Sequence, residues 1–249
     1  MLRTAVWFVY FASYLVAVLP KLWKAKRLKQ KDINDYHDYI HITAKNWSSR
    51  LIKLAGGTVH VNGAANIPKD EPVLFVANHQ GNFDIPVLLA HTGRKIGFIS
   101  KMEVKKIPLI RAWMEHLDCV FIDRKNRRQA IGALLEGAEK LEGGRSLIIF
   151  PEGTRSKGGP VNTFKKGSFK MAEKSKATIV PVAIDGTYTM MEANENHIIT
   201  PGEVQVTFLE PIRIHQYDAN VKSEELASAS EAAIAGKLAG LHPDAESAE

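Results

Sequence analysis

The chain has 249 residues, of which 45% are hydrophobic and 24% charged, and these ordinary globular values exclude wholesale disorder and fibrous repeats. Its single cysteine, Cys119, excludes a disulfide framework and a multi-cysteine metal site. The formal net charge of +6 is concentrated at the start of the chain, because residues 1–31 hold seven basic and no acidic side chains. The other 218 residues are close to neutral, so we expect no nucleic-acid partner.

The first segment of the chain is apolar from residue 5 to residue 19, except for Ser13. As a helix it would be about 23 Å long, and these 15 residues fall short of the roughly 20 that usually cross a bilayer. Six Lys and Arg side chains follow within residues 21–31, and such a cluster suits the anionic headgroups of a cytoplasmic leaflet. We expect this helix to be buried in one leaflet, and a full span stays open.

A second helix is predicted over residues 33–54. It is amphipathic, because apolar side chains recur at steps of three and four. Tyr36 and Trp47, near the two ends of the apolar face, would suit the headgroup boundary. Residues 1–56 are therefore expected to form a two-helix membrane anchor on the cytoplasmic face of the plasma membrane. The alternative is that both helices pack on the globular part as ordinary core.

From residue 57 onward, short runs rich in β-branched residues alternate with helical patterns, which predicts an α/β domain over residues 57–249. A largely parallel mixed sheet of about seven strands, flanked by helices, is expected from the runs at 58–61, 73–77, 96–99, 120–122, 147–150, 179–184 and 204–209. A helix is predicted over 126–141, and a surface helix near 224–241 is expected before a frayed end.

Polar groups are concentrated in four loops that follow predicted strands. The first loop holds His79 with Asp84 five residues later, and such a pair can form a base and its orienting carboxylate. Asp84 could equally be the N-cap of the helix that follows. A zinc site has less support, because no third ligand is obvious nearby. The other three loops are residues 100–104, 123–128 and 151–157, the last followed by lysines at 165, 166 and 170.

The loops at 123–128 and 151–157 contain what a phosphate cradle needs. A glycine allows close approach of the backbone, while a hydroxyl and an arginine fork supply donors. Either charged run alone is more often a solvated surface. Because all these loops follow strands of one sheet, we expect them to converge on its carboxyl edge.

The polar loops resemble the sequence blocks of the glycerolipid acyltransferases. Asn78 and His79 with Asp84 resemble the NHxxxxD signature, and residues 150–156 resemble the FPEGTRS block. Residues 121–124 and 180–182 resemble two further blocks, in the family's order. The resemblance covers roughly residues 58–210, and together with the N-terminal helices it is most like the bacterial 1-acyl-sn-glycerol-3-phosphate acyltransferases.

This resemblance implies a direct acyl transfer. His79, oriented by Asp84, would take the proton from the 2-hydroxyl of a lysophosphatidic acid. The oxygen would then attack the thioester of acyl-CoA or acyl-acyl carrier protein and give phosphatidic acid. Lys101, which matches the lysine of the family's KxEL segment, would stabilise the oxyanion. The sequence departs from that segment at Val104, which stands in place of leucine.

The resemblance also implies which residues meet the acceptor. Arg124, Arg155 and the backbone of Gly153 would hold its phosphate, and Glu152 would order the same pocket. The acyl donor would be a co-substrate, and neither a cofactor nor a metal is expected. Three alternatives stay open: an acceptor such as glycerol 3-phosphate or another lysolipid, a non-catalytic lipid-binding protein, and a metal-dependent lipid hydrolase.

Overall fold

The computed structural model describes residues 1–214 and 221–242, so the frayed end expected after residue 241 lies almost entirely outside the described residues. Within them the α-helices are α1 Leu2–Ala17, α2 Leu19–Lys31, α3 Ile33–Ala55, α4 Asp84–His91, α5 Pro108–His116, α6 Arg127–Glu142, α7 Lys170–Ser175 and α8 Ser223–Ala239. The strands are β1 Gly57–Asn62, β2 Val73–Ala77, β3 Ile96–Lys101, β4 Val120–Ile122, β5 Ser146–Ile149, β6 Thr178–Asp185 and β7 Gly202–Phe208.

The seven strands form one sheet in the order β1-β7-β6-β2-β5-β3-β4. All neighbours are parallel except β6 and β7, which run antiparallel. Each predicted strand is present within two residues at either end, so the predicted mixed, mostly parallel sheet is confirmed. The central strand β2 is buried along its whole length, which explains why it reads as an unbroken apolar run.

Successive side chains of β2 point to opposite faces of the sheet and belong to two cores. Phe75 joins the core that lies under α3 and α4, with Ile40 and Leu88. Leu74 joins the core on the other face, with Leu141 of α6 and Leu226 of α8. The predicted helix over 126–141 is confirmed as α6, and the surface helix near 224–241 as α8.

The helix α3 turns its apolar stripe toward the protein. Its N-cap Asp32 accepts hydrogen bonds from the amides of Asn34 and Asp35, at 2.7 and 3.0 Å. Tyr36 is buried, and its hydroxyl lies 2.8 Å from Nδ1 of His116. The prediction of Tyr36 at a headgroup boundary is therefore wrong, because the end of α5 packs against this part of the helix and Tyr36 is buried.

The N-terminal segment contains one helix more than expected. The basic cluster forms α2, which follows α1 directly with Pro20 in its first turn. Only Trp7 of α1 is buried, and its indole N–H donates to the carbonyl of Leu51 at 3.0 Å. Among the described residues no single helix has the length and hydropathy of a membrane span, whereas α1 and α2 pass that test together, with a 43° bend between them.

Four histidines outside the polar loops have lowered pKa values because of burial: His37, His41, His91 and His116. Burial, aided by the charges of His37 and Lys95, lowers the pKa of His41 from 6.5 to about 3. The Nδ1 atom of His41 accepts the amide of Ile96 at 3.2 Å, a bond that needs the neutral ring.

We predict that acidification destabilises the fold. Below pH 6.5 the unfolded chain binds protons at these histidines that the folded chain does not, so stability falls as the pH falls toward 3. Thermal unfolding followed by circular dichroism between pH 8 and pH 5 measures this loss. His41→Asn should weaken the dependence, and His197→Asn, at an exposed position, should keep it. A melting temperature that rises on acidification would contradict the prediction.

Candidate active site

The loop after β2 starts with a side chain that fixes its position. Asn78 is buried and exchanges two hydrogen bonds with the backbone of Ile184, one in each direction, both at 2.8 Å. These bonds tie the end of β2 to β6, its neighbour in the sheet. The next residue, His79, is thereby held at the carboxyl edge of the sheet, where ligand sites of parallel sheets lie.

His79 and Asp84 form the expected pair, with 2.6 Å between Nδ1 and Oδ2. The same carboxylate oxygen accepts the amides of Gln80 at 2.8 Å and Gly81 at 3.0 Å, while the other oxygen accepts the hydroxyl of Thr187. Asp84 is fully buried, and its bonds point back to the loop and not into the first turn of α4. The carboxylate therefore orients His79 and is not a helix cap.

The bond to Asp84 determines which nitrogen of His79 can act as a base. When Nδ1 carries the proton and donates it to the carboxylate, Nε2 keeps its lone pair. The imidazole stacks on Phe150, with 4.2 Å between the ring centroids, and its side chain is 19% exposed. His79 is thus a rigidly held imidazole with its second nitrogen available to a ligand.

The loop after β5 holds the backbone of His79 from the other side. Glu152 is buried, and its Oε1 accepts the amide of His79 at 2.6 Å. Its Oε2 accepts the backbone and side-chain amides of Asn162, at 3.0 and 2.7 Å. The amide of Ser156 donates to the carbonyl of His79 at 2.8 Å. The carboxylate of Glu152 is therefore used up in joining two loops, which fits an ordering role and not direct contact with a phosphate.

The predicted basic residues lie at the same edge of the sheet. Arg124 follows β4 and donates to the carbonyl of Gly153, which has φ +78°. Partial burial lowers the pKa of Arg124, and the charge of Glu103 opposes this effect. Arg155 donates from Nη1 to Oε1 of Glu192 at 3.0 Å. The loops after β4 and β5 thus form one basic wall.

An apolar cavity of about 610 Å³ connects these groups, a volume suited to a small-molecule or lipid ligand. One part of its lining is polar and contains His79, Lys101, Arg124 and Arg155. The rest is apolar and comes from α1, α3, α4, α5, β3 and the residues just before α4 and β4, with Trp7, Phe11, Trp47, Phe83, Trp113 and Cys119 among its side chains. Such a cavity matches a ligand with a charged head and a long apolar chain.

Cys119 lines the cavity, and its thiol is unreactive. Its thiol accepts the amide of Phe98 at 3.3 Å, and burial raises its pKa to about 12. At neutral pH the sulfur is protonated and is not a nucleophile.

Sequence reasoning missed three residues of the site. Thr187 donates to Asp84, Asn162 binds Glu152, and Glu192 binds Arg155. Thr187 and Glu192 come after β6, and none of the three belongs to a block that resembles the family signatures. Asn162, ten residues after Glu152, lies in an otherwise unremarkable loop. Only the folded chain brings these residues to the edge of the sheet.

The fold and the site define an α/β protein that holds a bonded histidine–aspartate pair beside a mostly apolar cavity with one basic side. Residues 58–185 match the model of the family described as acyltransferase, which covers more than half of the chain. The chain belongs to this acyltransferase family.

Named relatives agree with this family. The chain is 36% identical over 189 residues to a chloroplast 1-acyl-sn-glycerol-3-phosphate acyltransferase of Arabidopsis thaliana, covering 76% of this chain and 52% of the relative. It is 34% identical over 185 residues to a probable 1-acyl-sn-glycerol-3-phosphate acyltransferase of Mycoplasma pneumoniae, covering 69% of each. The chain spans about half the length of the plant relatives it matches.

A solved structure resembles the whole fold. The crystal structure of the 1-acyl-sn-glycerophosphate (LPA) acyltransferase PlsC from Thermotoga maritima matches with a TM-score of 0.84 and 31% identity. The match covers 96% of this chain and 95% of that one, so it includes the N-terminal helices as well as the sheet.

We predict opposite effects for two Gly→Ala substitutions. At Gly153 the positive φ disfavours a side chain, and the new Cβ would lie 2.6 Å from Nζ of Lys165 and 2.8 Å from Nη1 of Arg124. Gly153→Ala should lower the free energy of unfolding by about 1–3 kcal/mol. Gly132→Ala, on the open face of α6 with nothing within 4 Å, should raise it by about 0.5–1 kcal/mol. Urea unfolding measures both, and equal effects would contradict the prediction.

Proposed function

We propose that the protein transfers a fatty acyl chain from acyl-CoA or acyl-acyl carrier protein to the 2-hydroxyl of 1-acyl-sn-glycerol 3-phosphate, giving phosphatidic acid. The observation that carries this proposal is the pair of His79 and Asp84 beside two arginines at the polar part of an apolar cavity. The names of the relatives, both 1-acyl-sn-glycerol-3-phosphate acyltransferases, support the same substrate.

The transfer needs a base and no acyl-enzyme. Nε2 of His79 takes the proton of the acceptor hydroxyl, and the oxygen attacks the carbonyl carbon of the thioester. The imidazolium that forms is stabilised by the buried carboxylate of Asp84, 2.6 Å away. When the C–S bond breaks, the imidazolium returns the proton to the leaving thiolate. The substrate alcohol is the nucleophile, in agreement with the protonated, buried thiol of Cys119.

Charge develops at two places along this path. Lys101, at the end of β3 and in the cavity lining, is proposed to stabilise the oxyanion of the tetrahedral intermediate. Arg124, Arg155 and the backbone of Gly153 are proposed to hold the acceptor phosphate, and Glu152 to keep their loop in register with His79. The apolar lining from α1, α3 and α5 then receives an acyl chain.

We predict that His79→Ala lowers the rate of acyl transfer by about 10²–10⁴-fold, because the base is lost. The assay is thiol release from palmitoyl-CoA and from palmitoyl-acyl carrier protein, with and without 1-acylglycerol 3-phosphate. His60→Ala is the matched control, since His60 lies on the edge strand β1 and pairs with Glu203. Turnover of His79→Ala near that of the unmodified protein would contradict the proposed role.

The same assay separates the alternatives. Competition by glycerol 3-phosphate would indicate a pocket that needs no acyl tail on the acceptor. Thiol release without any acceptor would indicate a hydrolase, and its loss in chelator would indicate a metal-dependent one. The absence of release from either donor with every lysolipid would indicate a binding protein.

The N-terminal helices are proposed to hold the protein on the cytoplasmic face of an anionic membrane. α1 leaves apolar side chains exposed, including Val9 at 65%, and Trp23 on α2 is 73% exposed. The basic side chains of α2 lie beside these apolar groups, and among them Lys26 and Arg27 are exposed. Because α1 also lines the cavity, a lipid tail can pass from the leaflet toward His79.

We predict that Lys26→Glu with Arg27→Glu lowers binding to vesicles containing phosphatidylglycerol by at least about tenfold, since each basic residue contributes near the surface. Lys170→Glu with Lys174→Glu, which changes the same charge on the exposed side of α7, is the control. Co-sedimentation with anionic and with neutral vesicles measures the effect. Equal losses for both pairs would show that overall charge, and not α2, determines binding.

A further inference from the structure

Glu192 lies at the junction of the two loops that form the polar part of the cavity. It follows β6 and a short 3-10 helix, Thr187–Met190, and its side chain is only 2% exposed. Its Oε1 accepts the amide of Asn82 at 2.8 Å and Nη1 of Arg155 at 3.0 Å. One carboxylate oxygen thus joins the loop of His79 to the loop that begins at Pro151.

This carboxylate has little other use in the protein. Its second oxygen is closed from solvent and has no hydrogen-bond partner within residues 1–214 and 221–242. It lies against Gly81, where an added Cβ would come within 2.4 Å of it. A buried carboxylate with one oxygen unbonded is costly, so the contacts of Oε1 must offset that cost.

The bond from Arg155 to Glu192 leaves other N–H groups of the guanidinium able to donate to a ligand. Its side chain is 38% exposed, and its hydrogen bond to Glu192 uses Nη1 alone. The guanidinium has five N–H donors in a rigid fork, so anchoring one nitrogen orients the others. Arg155 and Asn82 both line the cavity, so the fork is fixed at the place where a ligand's head would lie.

We propose that Glu192 is a positioning residue that fixes the guanidinium of Arg155 for the phosphate of the acceptor. This inference rests on the proposed function, because it takes the ligand to be a phosphomonoester with an acyl tail. Glu192 acts through Arg155 and does not touch the substrate. Without it the fork would have to be ordered at the moment of binding, at a cost in affinity.

Two ligands test this role without the need for turnover: 1-acylglycerol 3-phosphate, and a monoacylglycerol of the same chain, which lacks the phosphate. Isothermal titration calorimetry in detergent measures Kd for both. Glu192→Ala should raise Kd for the phosphate ligand about tenfold and leave Kd for the monoacylglycerol unchanged. Glu192→Gln keeps an acceptor for both donors without the charge and should give a smaller rise. Glu203→Gln, at an exposed position of β7, is the matched control.

A double-substitution cycle distinguishes positioning from general support of the fold. If Glu192 acts through Arg155, Glu192→Ala should have no further effect on Kd in an Arg155→Ala background. Additive losses, or an equal loss for the monoacylglycerol, would overturn the proposal. A fall in Kd in Glu192→Ala would overturn it as well, because it would show that the carboxylate competes with the phosphate.

Steady-state kinetics distinguish a failure of the proposed role of Glu192 from a failure of the proposed acyl transfer. In the acyl-transfer assay Glu192→Ala should raise KM for the acceptor and leave KM for the acyl donor within about twofold, because the donor's thioester does not need Arg155. An unmodified protein that binds the phosphate ligand but transfers no acyl chain would overturn the proposed function alone. An unmodified protein that binds both ligands equally would overturn the role of Arg155 and with it that of Glu192.

Discussion

The carboxylate of Asp84 is closed from solvent, and a buried charge is tolerated only when its oxygens are well bonded. Here they accept hydrogen bonds from an imidazole, two backbone amides and the hydroxyl of Thr187. These donors come from the loop after β2 and from the segment after β6. The burial of one charge therefore requires both segments to be in place, and their position in turn fixes His79.

A second buried carboxylate supports the other side of the histidine. Glu152 accepts the amide of His79 and the side-chain amide of Asn162, so it joins the loop after β5 to the backbone of His79. Arg155 lies in this loop, and Arg124, from the loop after β4, donates to the carbonyl of Gly153 in it. His79 and the basic wall are thus one assembly, because the hydrogen bonds that hold His79 also determine where the loop carrying Arg155 lies.

The N-terminal helices α1 and α3 differ in how much of their apolar surface the protein covers. α3 gives its apolar face to the sheet, with Ile40 and Leu51 in the core, and so belongs to the folded body. α1 is attached through Trp7 and keeps much of its apolar surface exposed while lining the cavity. Of the two helices, α1 therefore leaves more apolar surface uncovered, while both helices line the cavity.

The strands were predictable because the buried, mostly parallel sheet needs short β-branched runs, and these stand out between helical patterns. The pairing of His79 with Asp84 was also predictable, since five residues of chain limit how far apart the two can lie. The orientation of α3 was not, because periodicity shows that a face is apolar and not what covers it; Tyr36 is the example.

The sequence by itself determined which short segments are candidates for chemistry, because their residue types stand out: a histidine with a carboxylate, a glycine with arginines, and lysines beside an apolar helix. Tertiary structure alone decided which distant residues hold them. Thr187 is 103 residues from Asp84, and Glu192 is 37 residues from Arg155. A lone threonine or glutamate carries no signal of its own, and each gains a role only because β6 ends beside β2 and delivers the following segment to the site.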